Sequence, residues 1–164
     1  MTFLQLLYRS IPRTPDFDPS DLAILRASLR NNAARGITGY LWRANGQFFQ
    51  ALHGPAEAIE ALFARLEADP RHRDLEILLK EPAEDASPFP DWSMGYDHFL
   101  ALELDAELDE NGARRPIAAE EARQIYARMV AAAEEVRRYG SAFPYARGAG
   151  EDEAAYLARL DASA

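Results

Sequence analysis

The dipeptide Asn45-Gly46 divides two runs of strand-forming residues, Ile37-Thr-Gly-Tyr-Leu-Trp and Gln47-Phe-Phe-Gln-Ala-Leu. Asn-Gly favours the positive φ angles of a type I′ turn, whose twist matches that of paired strands. Residues 37–52 therefore read as an antiparallel hairpin. A lone hairpin is marginal in water and needs further strands or a helix against its apolar face. The flanking sequence supplies both. Residues 3–8 read as an apolar strand, ended by Pro12 and Pro15. Asp18-Pro-Ser-Asp opens a helix with acid in its first turn, Leu22, Leu25, Leu29 and Ala33 recur at helical spacing, and Gly36 is a candidate cap beyond its end. Gly54-Pro55 closes the hairpin and starts a second helix carrying Ile59, Leu62, Phe63 and Leu66, which Asp69-Pro70 stops. Leu75, Ile77 and Leu79 alternate as a fourth strand. A polar loop over residues 81–90 leads to a fifth strand over residues 92–99.

The order β-α-β-β-α-β-β predicts an α+β fold, a ferredoxin-like sandwich whose right-handed crossovers place both helices on one face of the sheet. In this topology the first and third strands are neighbours. The opposite face needs cover, and Ala118, Ala122, Ile125, Met129, Ala132 and Val136 make an apolar stripe on a helix near residues 117–138. Residues 139–150 read as a glycine-bearing linker and residues 151–160 as a short last helix. C-terminal helical cover of the second sheet face is the expectation.

Composition excludes several chemistries. The 164 residues contain no cysteine, which removes disulfides, thiolate catalysis and cysteine-held metals. Eighteen basic against 27 acidic residues give a net charge of −9, which disfavours nucleic acid and anionic membrane surfaces as partners. No apolar run approaches the roughly 20 residues of a membrane span, and the N-terminus lacks the basic start of a signal peptide, so a cytoplasmic protein is expected. The three histidines are far apart and lack metal-pair spacing. Lys80 has no phosphate-loop glycines before it, Gly148-Ala-Gly150 follows no strand, and no nucleophile elbow is present.

The informative residues are polar ones on apolar faces. Tyr8 shares a strand face with Leu4 and Leu6, and Gln50 shares one with Phe48 and Leu52. Adjacent first and third strands bring this phenol and this carboxamide together. Asn32, three residues after Leu29, lies on or beside the apolar stripe of the first helix. Burying an amide without partners costs about 1–3 kcal/mol, so these groups either satisfy one another or bind a planar polar ligand between the helices. Trp92 and Met94 read equally well as core filler.

Five spaced motifs resemble the BLUF domains, blue-light sensors that use flavin: Tyr8-Arg9-Ser10; Asn31-Asn32-Ala-Ala-Arg-Gly-Ile37-Thr38-Gly39; Gly46-Gln-Phe48-Phe49-Gln50-Ala-Leu52-His53-Gly54-Pro55; Asp69-Pro-Arg71-His72-Arg73; and Phe89-Pro-Asp-Trp92-Ser-Met94-Gly95. The resemblance implies a sensor domain over residues 1–99; it does not reach residues 100–164, which are expected to form a C-terminal helical extension. It implies that Tyr8 donates an electron to photoexcited flavin and that Gln50 bridges this tyrosine and the flavin edge. Asn32 is implied to hold the ring system, and Ser10, Asn31, Ile37, Phe48, Leu52, Arg71, His72, Trp92 and Met94 to complete the cofactor site. The implied cofactor is FAD, with FMN or riboflavin as alternatives. The sequence departs from the family pattern at His53, where glutamate is common, and at Pro88, where a basic residue is common.

A blue-light photoreceptor without enzymatic output is therefore expected, with a small reversible red shift of the flavin bands under illumination. Residues 100–164 are too few for a cyclase, phosphodiesterase or DNA-binding module, so the signal is expected to pass to a separate protein effector or through homo-oligomers. A light-inactive flavoprotein or interaction module, and a small hydrolase on the ferredoxin-like scaffold, are the alternatives.

Overall fold

A computed structural model describes residues 2–15, 18–44, 46–89, 92, 94–98 and 108–163. The elements are β1 (Phe3–Pro12), α1 (Pro19–Ala33), β2 (Thr38–Ala44), β3 (Gln47–Pro55), α2 (Ala56–Glu67), β4 (His72–Ala83), β5 (Gly95–His98), α3 (Ala119–Tyr139) and α4 (Glu153–Ala162). Asn45 of the expected turn lies outside the described residues, but Gly46 has φ +70°, as such a turn requires. Phe99 of the expected fifth strand also lies outside them, and β5 starts at Gly95, after Trp92 and Met94.

The sheet order is β4-β1-β3-β2-β5, with β5 parallel to β2 and every other pairing antiparallel. Local chemistry sets the helix ends. Asp18 caps α1 by accepting from the Ser20 amide at 2.9 Å, with Pro19 in the first turn, where its missing N–H costs nothing. α3 stops at Gly140, whose φ of +72° other residues adopt only with strain.

Two apolar cores lie on opposite faces of the sheet. One holds Leu4, Leu6, Tyr8, Phe48 and Leu52 against Leu25 and Leu29 of α1 and Ile59 of α2. The other holds Leu7, Tyr40, Trp42, Phe49 and Ala51 against Ile125, Met129, Ala133 and Val136 of α3. β3 is buried on both sides along almost its whole length, so its sequence is apolar at consecutive positions.

Two features depart from the sequence pattern. The alternation of Leu75, Ile77 and Leu79 does not survive, because the β1–β4 register shifts between Leu7 and Tyr8. This irregularity puts Leu75 against the α1–α2 core and both Leu78 and Leu79 against the α3 core, and leaves Ile77 exposed. The two C-terminal helices also part company. α3 covers the second sheet face, with Ala133 rather than Ala132 fully buried and Ala118 exposed ahead of the helix. α4 instead joins the α1 side, where Tyr156 and Leu160 enter that core and Asp161 pairs with Arg26 at 2.7 Å and Arg30 at 2.8 Å.

Met129 sits fully buried at the centre of the α3 interface. Met129→Ala should lower unfolding free energy by about 2–5 kcal/mol in urea titration, through lost burial and a residual cavity. A loss below about 0.5 kcal/mol would show that α3 does not seal this face.

Candidate functional site

The antiparallel β1–β3 register sets Tyr8 directly opposite Gln50, on the face that carries α1 and α2. Both side chains are almost wholly buried. The Tyr8 hydroxyl donates to Gln50 Oε1, and Gln50 Nε2 donates to Met94 Sδ at 3.4 Å. A carboxamide offers two N–H donors and two acceptor lone pairs. Gln50 therefore has one end fixed by a phenol, while the other meets a weak sulfur acceptor and keeps donor capacity for a ligand.

A cleft of about 250 Å³ opens beside this pair, between α1 and α2. Its walls are apolar, from Ile24, Ala27, Leu41, Phe48, Leu62 and Leu66. Its polar groups are Tyr8, Gln50, Asn31, Asn32 and Ser28, with Arg65, Asp69, Arg71 and His72 toward the C-terminal end of α2. The cleft explains why α2 fully buries only Ile59, while Leu62 and Leu66 stay half-buried: they face the opening rather than sheet residues. Asn32 is buried in the last turn of α1, and its carbonyl accepts from the amides of Arg35 and Ile37, both at 3.0 Å.

His72 ties two sides of the cleft together. Its Nε2 meets the Leu66 carbonyl at 2.8 Å, which only accepts, so this nitrogen carries the hydrogen. In the singly protonated ring Nδ1 then accepts from the Ser10 hydroxyl, also at 2.8 Å. Nearby, Arg71 donates to Asp69 through Nη2 at 2.6 Å and through Nε. That hydrogen bond holds the Asp69 carboxyl below the usual carboxylate range.

Of the residues expected from sequence, Tyr8, Asn31, Asn32, Phe48, Gln50, Arg71 and His72 line the cleft. Ser10 acts behind His72, Ile37 and Leu52 lie deeper in the same core, and Met94 reaches the site through Gln50. Trp92 is placed apart from them. Its ring belongs to the α3 core, stacked 6.4 Å from Tyr40, whereas Met94 belongs to the core on the α1–α2 side. Sequence reasoning missed Ile24, Ala27, Ser28, Leu41, Leu62, Arg65, Leu66 and Asp69. The half-exposed apolar positions of α2 were the available signal, but a helical stripe does not distinguish core from pocket wall.

An aromatic ring with a polar edge fits this donor set: apolar walls for its faces, and an amide and a phenol at one side. Among the described residues, no group of three or more histidine, aspartate or glutamate side chains is arranged to hold a metal ion, and no helix is long and apolar enough to cross a membrane.

Comparison with known proteins points the same way. The family model described as sensors of blue-light using FAD matches residues 3–95. The beta subunit of photoactivated adenylate cyclase from Euglena gracilis is 38% identical over 72 residues, covering 44% of this chain and 8% of the cyclase subunit. The chain thus spans under a tenth of that relative's length. Among solved structures, BlrB, a BLUF protein in its dark state, superimposes with a TM-score of 0.65 at 33% identity, covering 80% of this chain and 97% of that one. The photo-activated state of BlsA gives 0.64 at 25% identity, over 78% of this chain and 94% of the other.

Burial raises the pKa of the Tyr8 phenol, and the charge of Asp69 adds to the rise. Burial is also the leading cause of raised values at Tyr40, Tyr96, Tyr126 and Tyr156. The folded chain therefore holds these protons more tightly than the unfolded chain, whose tyrosines titrate near pH ~10. The resulting stabilisation is complete below about pH 10 and is lost as pH rises further. The expected outcome is a cooperative step above about pH 10 in which ionisation of these five buried tyrosines and loss of far-UV circular dichroism coincide. Ionisation of all tyrosines with circular dichroism intact would refute this.

Proposed function

The chain belongs to the BLUF family, the sensors of blue light using FAD, and on that premise we propose that Tyr8, Gln50 and Asn32 form its photoactive flavin site. The observation that carries this reading is the Gln50 amide, which links a buried phenol to Met94 at the wall of an apolar cleft. Bound in the cleft, FAD supplies blue-light absorption and, once excited, an electron acceptor.

The chain's residues do the rest. Tyr8 holds its proton on the hydroxyl in the dark, since burial disfavours the phenolate, and this proton already points at Gln50 Oε1. Loss of an electron makes a phenol strongly acidic, so the proton can pass along this hydrogen bond; electron and proton return to Tyr8 when the charges recombine, so that neither net oxidation nor net charge remains and only the amide's orientation or tautomer has changed. A carboxamide that rotates or tautomerises exchanges its donor and acceptor ends without adding charge. Gln50 therefore stores the event as a changed bonding pattern toward Tyr8, Met94 and the ligand. In a low-dielectric site one such change alters the ligand's electronics and the packing of Met94. Asn31 and Asn32 hold the polar side of the ring from α1. Arg65 and Arg71, which line the same cleft toward the end of α2, would suit the phosphates of a bound FAD, Arg71 in competition with its pairing to Asp69.

We assign residues 1–99 to sensing and residues 100–164 to a helical extension that passes the signal on. No catalysis is assigned to this chain. The cyclase activity named for its Euglena relatives resides in proteins of which it matches 6–11% of the length, and its effector is proposed to be a separate protein.

The purified protein should be yellow, and blue light should produce a small red shift of the flavin bands that reverses in the dark. Tyr8→Phe and Gln50→Leu should each retain flavin and abolish the shift. A wild-type shift in either variant would overturn the mechanism. Asn32→Ala should weaken flavin binding about tenfold by equilibrium titration, the loss expected for one buried hydrogen-bonding group.

A further inference from the structure

Arg147 lies in the segment between α3 and α4, outside the span matched by the family model, yet its side chain is wholly buried. Its guanidinium carbon stands 4.4 Å from the ring centroids of both Trp92 and Tyr156, sandwiched between them. Its Nη2 donates to the Met94 carbonyl at 2.9 Å and to Glu153 Oε1 at 2.5 Å. One nitrogen thereby joins the backbone of the methionine that touches Gln50 to the first turn of α4. Removing a guanidinium from water is costly, and it is tolerated here because two aromatic faces and a carboxylate surround it.

We propose that Arg147 is a positioning residue for the light response: it holds Met94 against the Gln50 amide in the dark and makes α4 the element that senses the change. The proposal rests on the sensing role assigned above. Met94 is held twice, its sulfur by Gln50 Nε2 and its carbonyl by Arg147. When Gln50 exchanges its donor and acceptor ends, the sulfur loses its donor while the carbonyl remains tied to α4. Displacement of Met94 then acts on the Arg147–Glu153 contact. α4 is suited to respond. Besides this contact it is held by Tyr156, Leu157 and Leu160 in the α1-side core, by the Tyr156 hydroxyl on the Tyr145 carbonyl, by Arg159 on the Ala146 carbonyl and Glu151, and by Asp161 at the partly exposed pairs with Arg26 and Arg30. Such surface pairs contribute little to binding.

The test uses the full chain loaded with FAD, the variants Arg147→Met, Arg147→Lys and Glu153→Gln, and hydrogen exchange of residues 153–160 in darkness and under blue light. In the wild type, light should speed exchange across α4. Arg147→Met should keep the red shift, exchange α4 amides about tenfold faster in the dark with no further response to light, and change the dark-recovery rate at least about threefold. Arg147→Lys should restore part of the wild-type recovery rate. Glu153→Gln keeps the aromatic sandwich and guards against misfolding of the first variant, and it should shift exchange and recovery in the same direction by less. Recovery rates within about twofold of wild type in folded Arg147→Met and Glu153→Gln overturn the proposal, even if α4 loosens, because loosening alone is a structural effect. A wild type with no red shift overturns the sensing role instead. In that case unchanged dark exchange in Arg147→Met would separately refute the tie between Met94 and α4.

Discussion

The β1–β3 ladder is the constraint from which the site follows. Side chains alternate along a strand, so a slip of one residue would send Gln50 to the α3 face and leave Tyr8 opposite an apolar neighbour. The observed register, with Tyr8 across from Gln50, is fixed at both ends of the ladder, from Phe3 opposite Pro55 to Ser10 opposite Phe48. The ladder to β2 holds β3 in place, and the apolar cores on the two sheet faces penalise any exchange of faces. A hydrogen bond between a phenol and an amide is worth only about 1 kcal/mol in stability. Here it is placed by burial energies many times larger, which hold its geometry.

Covering both faces of one sheet gives each a different task. The α3 side is closed with hydrocarbon, from Phe49 and Ala51 to Met129 and Val136. The α1–α2 side is left incomplete, because the helices close over Leu25, Leu29 and Ile59 but part beside Tyr8. β5 borders both. Met94, just ahead of it, faces the cleft side, and Trp92 faces the other. Two side chains separated by one residue thus report to opposite layers, and Arg147 meets both residues, Met94 at its main-chain carbonyl and Trp92 at its ring.

Much of this was legible in the sequence. The Asn45-Gly46 signal, the two helical stripes and the strand order lead to the sheet, and the alternation around Tyr8 and Gln50 leads to their meeting. Three things were not legible, for separate physical reasons. The β4 irregularity erases the meaning of Leu75, Ile77 and Leu79, since period-two reasoning assumes an unbroken ladder. α4 was assignable to neither sheet face by periodicity. Its side is decided by ion pairs with Arg26 and Arg30 and by the seat of Tyr156, which are long-range contacts. Arg147 in a glycine-bearing stretch reads as a solvated loop residue, and nothing local announces that two rings enclose it.

The double anchorage of His72 carries a consequence for how the cleft keeps what it holds. One ring nitrogen is fixed to β1 through Ser10 and the other to the end of α2 through the Leu66 carbonyl, so the strand and the helix cannot spread independently. A flat guest seated beside this brace therefore meets a gap between β1 and the end of α2 whose width is set by two hydrogen bonds. A wall fixed in advance in this way leaves little ordering to be done when the guest arrives, so few polar contacts suffice to hold it.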